Sequence, residues 1–236
     1  AEAARAFLIG DEPRNGVILG RLAQRRTSPS LASGEAALRI VDARGRTVLV
    51  GLLLNLPGGL VLSVGDAAAA TELAGALSDS AIAFDTVSGP TAPVEALVSA
   101  LPRPDHGAWT AAAHMHLMQL CAVRAPAPSP GRRRRAVLED IPILTEWMRA
   151  FIIEALPHKP PPTDEPRALA VRGVESGRVE VWEVAGAPVA TATWTRPTDN
   201  GISINSVYTP TEHRGRGYAS SLVAGMCTDV LAAGRR

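Results

Sequence analysis

Apolar positions along this chain alternate between a spacing of three to four and a spacing of two, so the sequence divides into interleaved helices and strands. Residues 1–26 fit two short helices on either side of Asp11-Glu12-Pro13. Residues 37–41 and 47–54 read as strands flanking the turn Asp42-Ala43-Arg44-Gly45, and 60–64 is a further short apolar run. Asp66 begins a helix in which Leu73 and Leu77 share a face. Residues 81–87 are strand-like, and Thr91-Ala92-Pro93 opens a helix through Leu101, with Pro93 tolerated in the first turn. Residues 113–123 are predicted as a closing strand.

The pattern breaks at Ala125-Pro126-Ala127-Pro128-Ser129-Pro130-Gly131, where alternating prolines favour extended geometry and supply no ladder donors. This divides the chain into a first half, 1–125, a linker, 126–131, and a second half, 132–236. The second half repeats the order of elements without repeating the sequence. A strand is predicted over 135–138, and Asp140 caps a helix with Ile141, Leu144, Met148, Phe151 and Ile152 on one face. Pro157 and Pro160-Pro161-Pro162 end it, and a second helix spans 165–175. Strands follow over 179–184, 189–194 and 202–208, and a last helix places Ala219, Leu222, Val223, Met226 and Val230 on one face. The expected class is α/β, a mixed sheet with helices packed against it.

Composition narrows the function. The chain has 236 residues, with 24 Lys and Arg against 23 Asp and Glu and 46% hydrophobic residues. Such a balance excludes a generally cationic nucleic-acid binder and a polyacidic tail. The cysteines, Cys121 and Cys227, form no C-x-x-C, which leaves no disulfide framework and no thiolate zinc site from this chain alone. The uncharged stretch 47–65 could pass for a membrane span, but Asn55-Leu56-Pro57-Gly58-Gly59 breaks it into two buried strands. Residues 1–10 lack the basic start and apolar run of a signal peptide. The expectation is a cytoplasmic protein with no membrane, nucleic-acid or metal partner.

The segment richest in chemistry is Ser206-Val207-Tyr208-Thr209-Pro210-Thr211-Glu212-His213-Arg214-Gly215-Arg216-Gly217-Tyr218-Ala219-Ser220. A strand ends, a proline stops it, and two glycines open a helix. Amides at a helix start have no intrahelical partner and carry the positive end of the dipole. Glycines let a phosphate approach the backbone, and Arg214 and Arg216 add charge, so the segment reads as an anion cradle for a diphosphate. A dinucleotide fingerprint is excluded by the missing third glycine, and a P-loop by the missing G-K-[ST].

Arg214-x-x-Gly217-x-Ala219 is similar to the [QR]-x-x-G-x-[GA] coenzyme A signature of the GNAT N-acetyltransferase superfamily, in the same strand–loop–helix context. The resemblance covers 132–236, and the first half looks like a diverged, structural copy of the same architecture. It implies an acetyl-CoA-dependent N-acetyltransferase acting on a small-molecule or peptide primary amine by direct attack; a non-catalytic acyl-CoA-binding or regulatory module is the alternative. It also implies that backbone amides of Gly215, Arg216, Gly217, Tyr218, Ala219 and Ser220 cradle the diphosphate. Val207 and Thr209, on either side of Tyr208, would pair with the pantetheine arm, the Val207 N–H polarising the thioester carbonyl. The pattern departs from the family in two respects: residues 203–207 offer no carboxylate base, and the further strands and the tyrosine-bearing helix expected after the signature helix do not follow.

Other candidates carry two readings each. Gly131 precedes Arg132-Arg133-Arg134-Arg135, a phosphate-binding patch or a solvated linker end; the first would make the protein a nucleic-acid partner. His114 and His116 could ligate a metal or form a surface or core pair. Glu154 could hold or deprotonate an amine, or be a solvated rim carboxylate. Tyr208 and Tyr218 could move protons or fill the core, His213 could touch a phosphate or lie in solvent, and Cys227 is expected to be inert.

Overall fold

The computed structural model describes residues 2–27, 36–55, 58–80, 82–102, 108–155 and 163–235. Leu56-Pro57, Pro157 and Pro160-Pro161-Pro162, to which turn and helix-stop roles were assigned, lie outside them. The chain forms two compact units, Ala1–Leu117 and Met118–Arg236, dividing upstream of the proline-rich segment.

The first unit contains α1 (Glu2–Ile9), α2 (Gly16–Thr27), β1 (Ala36–Val41), β2 (Thr47–Asn55), β3 (Gly58–Leu62), α3 (Ala67–Ser78), β4 (Thr86–Ser88) and α4 (Thr91–Ala100). Its sheet runs β1-β2-β3-β4, antiparallel except for the parallel β3–β4 pair. The uncharged 47–65 stretch is thus the β2–β3 hairpin. Alternation along β2 sends Val50 and Leu52 against α1 and α2, and Leu49 and Leu53 against α3 and α4. Asn15 ties the helical pair to the sheet: its Nδ2 donates to Leu8 O at 2.9 Å and its Oδ1 accepts from Val64 N at 2.9 Å.

Two expected strands of this half differ. Within the described part of 81–87, residues 82–87, only the last two pair, as the start of β4. Residues 113–120 form no strand and are exposed, Met115 and Met118 nearly fully (84% and 90%). The apolar residues that suggested a strand there meet no neighbouring strand, and propensity without a pairing edge does not make a sheet.

The second unit contains β5 (Arg132–Arg135), α5 (Ile141–Ala155), α6 (Glu165–Glu175), β6 (Val179–Val184), β7 (Ala187–Thr195), β8 (Ser203–Tyr208) and α7 (Tyr218–Ala232). The sheet is β5-β6-β7-β8, antiparallel throughout. Leu144 and Trp147 of α5 and Ala170 and Val174 of α6 cover Val179, Val181 and Tyr208 on one face. Tyr218, Leu222 and Met226 of α7 cover Ala190 and Ala192 on the other. Both units therefore are mixed α/β, and both contain the order helix, helix, three strands, helix, which β5 precedes in the second unit. The first unit continues beyond it with β4 and α4.

The strand expected over 135–138 is instead the arginine run itself, β5, followed by a 3-10 turn at Leu138–Asp140. Arg132 donates to Glu183 Oε1 through Nε at 2.9 Å, and Arg134 reaches Glu183 and holds Asp140 with two bonds at 2.7 and 3.0 Å. Arg133 meets Glu180 at 3.3 Å and also Asp229. The run enters a strand with its ends, Arg132 and Arg135, exposed, and Arg132, Arg133 and Arg134 are partners of carboxylates on β6, α7 and the turn before α5. They also make β5 a charged sheet edge, which discourages pairing with other chains. Asp140 does not cap α5, because its carboxylate faces Arg134 and accepts from Val137 N at 2.8 Å. Burial opposes its ionisation, yet Arg134 and the Val137 amide outweigh that and hold the carboxyl below its ordinary value.

Candidate functional site

β8 is the outermost strand of its sheet and does not pair evenly with β7. Thr193 faces Asn205 and Thr191 faces Tyr208, so β8 carries an extra residue over this span, a bulge. Ser206 takes the strain at φ 49° and donates its N–H to Asn205 Oδ1 at 2.6 Å. The bulge leaves Val207 on the surface, 38% exposed, while Tyr208 turns into the core.

After Tyr208 the chain passes through Thr209-Pro210, a 3-10 turn at Thr211–His213, and the loop 214–217 into α7. Gly215 and Gly217 have φ of 75° and 77°, the left-handed region that only glycine enters without cost. Ser221 N donates to Gly217 O at 2.9 Å as the first bond of the helix, so the amides of Tyr218, Ala219 and Ser220 lack helical acceptors. No side chain caps this end. The equivalent helix of the first unit is different. There Asp66 closes the start of α3, its Oδ1 accepting from Ala68 N at 2.9 Å, so a carboxylate of the chain itself takes the place an anion would need.

The open end of α7 faces a cleft of about 610 Å³ lined by Val207, Tyr208, Thr209, His213, the segment 214–220, and Phe151, Glu154 and Ala155 of α5. Every residue assigned to coenzyme A from the sequence, and Glu154, lines this one cleft. Thr209 Oγ1 and His213 Nδ1 are buried and find no hydrogen-bond partner among the described residues. Arg216 is exposed and makes no ion pair among them.

Glu154 is a half-exposed carboxylate of the cleft, and it is paired rather than free. Arg214 Nη2 donates to its Oε2 at 2.8 Å and its Oε1 at 3.0 Å, and the Tyr208 hydroxyl donates to Oε1 at 3.2 Å. Arg214 also donates from Nε to Thr209 O at 2.8 Å and lies over the Tyr208 ring, 5.6 Å from its centroid. Tyr208 in turn packs against Trp147 with centroids 6.5 Å apart. Burial, then the hydrogen bond to Glu154, push the Tyr208 phenol above its ordinary value, so it keeps its proton at neutral pH. Glu154 likewise holds Arg214 more firmly protonated than usual.

A second hollow, of about 240 Å³, lies between α5, α6 and the β7–β8 face and shares Phe151 and Tyr208 with the cleft. Sequence reasoning missed its polar wall. The alternation Thr191-Ala192-Thr193-Trp194-Thr195 was the signal, since it puts the threonines on one face of β7.

The remaining candidates lie elsewhere. His114 and His116 are exposed on an irregular segment, and no group of three His, Cys, Asp or Glu among the described residues could hold a metal. Tyr218 is buried against β7. Burial raises the Cys227 thiol above its ordinary value, which disfavours the reactive thiolate. No helix among the described residues is long and apolar enough to cross a membrane.

No family model and no curated protein matches the sequence. Among solved structures, an N-acetyltransferase from Staphylococcus aureus Mu50 is 26% identical, over 46% of this chain and 70% of its own, with a TM-score of 0.37. A possible acetyltransferase from Clostridium difficile 630 is 22% identical over 42% and 69%, with a TM-score of 0.38. A GNAT family acetyltransferase from Brucella melitensis, in complex with acetyl-CoA, is 15% identical over 44% and 71%, with a TM-score of 0.35.

Proposed function

We propose that the second unit is a GNAT-like N-acetyltransferase that binds acetyl-CoA in the cleft at α7 and acetylates a primary amine by direct attack. The observation that carries this reading is the uncapped start of α7, entered through two left-handed glycines, in a cleft whose other wall is the bulged edge of β8. The amides of residues 215–220 hold the diphosphate, with Arg216 nearby and the buried, partnerless Thr209 Oγ1 and His213 Nδ1 available as further contacts. The exposed backbone of Val207 and Thr209 holds the pantetheine arm as an added strand, because β8 has an open edge there.

When bound, acetyl-CoA supplies an activated acyl group as a thioester. The Val207 N–H donates to the carbonyl oxygen as negative charge develops on it. Glu154 accepts a proton from the attacking nitrogen once the diphosphate draws Arg214 away from it. Tyr208 holds its phenolic proton at the boundary of cleft and hollow and passes it to the sulfur as the carbon–sulfur bond breaks. The cytoplasm, where acetyl-CoA and amines meet, is the setting this reading requires.

Calorimetric titration with coenzyme A, followed by thiol release from acetyl-CoA across an amine panel, tests the proposal. Binding with turnover supports it. Binding without turnover against any amine leaves a coenzyme A-binding module, and no binding removes the reading altogether.

A further inference from the structure

We infer that the hollow beside the cleft selects, as acceptor, an amine that also carries a carboxylate and a large apolar group, that is, an apolar amino acid; this rests on the transferase reading above. The hollow joins the cleft at Phe151 and Tyr208, so an acceptor there borders the place assigned to the thioester. Trp147, Met148 and Phe151 give it an apolar wall along α5, with room for a single side chain in about 240 Å³. Its polar lining is one-sided. Arg172 and Arg178 line it, and no aspartate or glutamate among the described residues does; Arg178 donates from Nε to Ser176 Oγ at 2.8 Å, whereas the exposed Arg172 guanidinium makes no ion pair among them. Thr195 Oγ1, also of the lining, is buried without a hydrogen-bond partner.

Charge decides between acceptor classes. A polyamine or an aminoglycoside brings several positive charges and needs carboxylates around them; beside Arg172 it would meet a like charge instead. An apolar amine without a carboxylate fills the wall but leaves Arg172 and Thr195 Oγ1 unanswered. An apolar amino acid brings the carboxylate that a guanidinium binds most strongly and an acceptor for the Thr195 hydroxyl. Its nitrogen is then left for the Tyr208 side of the hollow, where the phenol is bonded to Glu154 of the adjoining cleft.

The test is calorimetry on the full chain with L-phenylalanine, L-leucine, 2-phenylethylamine and spermidine, each with and without saturating coenzyme A. The inference expects L-phenylalanine to bind at least about tenfold more tightly than 2-phenylethylamine and spermidine. Arg172→Gln should remove most of that preference while leaving the affinities for 2-phenylethylamine and coenzyme A unchanged. Equal binding of the two phenyl compounds, tighter binding of spermidine, an unaltered preference in Arg172→Gln, or no binding of either amino acid under both conditions would each overturn it. The coenzyme A titration is read separately: its failure sinks the transferase reading, whereas failure of the amino-acid titrations alone sinks only the acceptor class.

Discussion

Glu154, at the end of α5, and Arg214, on the loop before α7, are 60 positions apart and meet through bonds of 2.8 and 3.0 Å from one guanidinium nitrogen. Both are about half exposed, so the pair contributes little to stability, and its meaning lies in what each partner would otherwise do. Arg214 stands at the cradle, and Glu154 lines the same cleft and accepts from Tyr208, which borders the second hollow. While they hold each other, neither is free for the role proposed for it.

Glu154→Gln tests that coupling. The amide keeps the shape but removes the charge that detains Arg214. Coenzyme A affinity is expected to stay the same or rise a few-fold, while thiol release falls by about 10²–10⁴-fold, the range of a lost general base. Unaltered turnover, measured by thiol trapping over a pH series, would rule out Glu154 as the proton acceptor.

Gly217→Val tests the cradle. Its φ of 77° costs an ordinary L-residue about 1–2 kcal/mol, but the nearest atom to an added Cβ is Ser129 Cβ at 3.8 Å, so the fold has room for it. Circular dichroism should show a folded protein, and calorimetry should show coenzyme A affinity reduced more than tenfold. Gly217→Asn should lie between the two, since asparagine tolerates the left-handed region.

Asp66→Ala separates the two units. Losing the cap of α3 should cost about 1 kcal/mol of stability, read as a lower urea midpoint. Coenzyme A binding should not change, because the first unit closes its own helix start and takes no part in the cradle. A loss of coenzyme A affinity in this variant would contradict a purely structural first unit.

Asp140→Asn has a pH signature. A carboxyl held below its unfolded value of 3.8 contributes stability that is present above that pH and is lost as pH falls through the lower folded value. The wild-type protein should therefore be more stable than Asp140→Asn at pH 6, by about 1–3 kcal/mol for a charged hydrogen-bonding partner of Arg134. The two urea midpoints should converge only once the pH falls below the lowered folded value of Asp140, where both side chains are neutral. A gap that persists to low pH would mean that packing, rather than charge, makes the difference.

Much of this architecture was readable along the chain because its causes are local. Periodicity placed α6 to the residue and marked the runs that become α5 and α7, and the two glycines before Tyr218 marked a helix start left open to an anion. Asp66 at the corresponding point of the first half was legible as the start of a helix, though not as the cap that closes it. What the sequence could not decide was pairing. The arginine run had a strand's length and a patch's charge, and only the register of β5 on β6, with the packing of α7 and the turn before α5, brought Glu183, Glu180, Asp229 and Asp140 to it. Residues 113–120 had strand composition and no edge to join. Glu154, Tyr208 and Arg214 come from three separate elements, and nothing near any of them in sequence announces the other two. Spacing along a backbone sets which face a side chain takes, since that depends on neighbours a few residues away. Which charge it meets there depends on strand order and helix packing, and those are settled only when the whole unit closes.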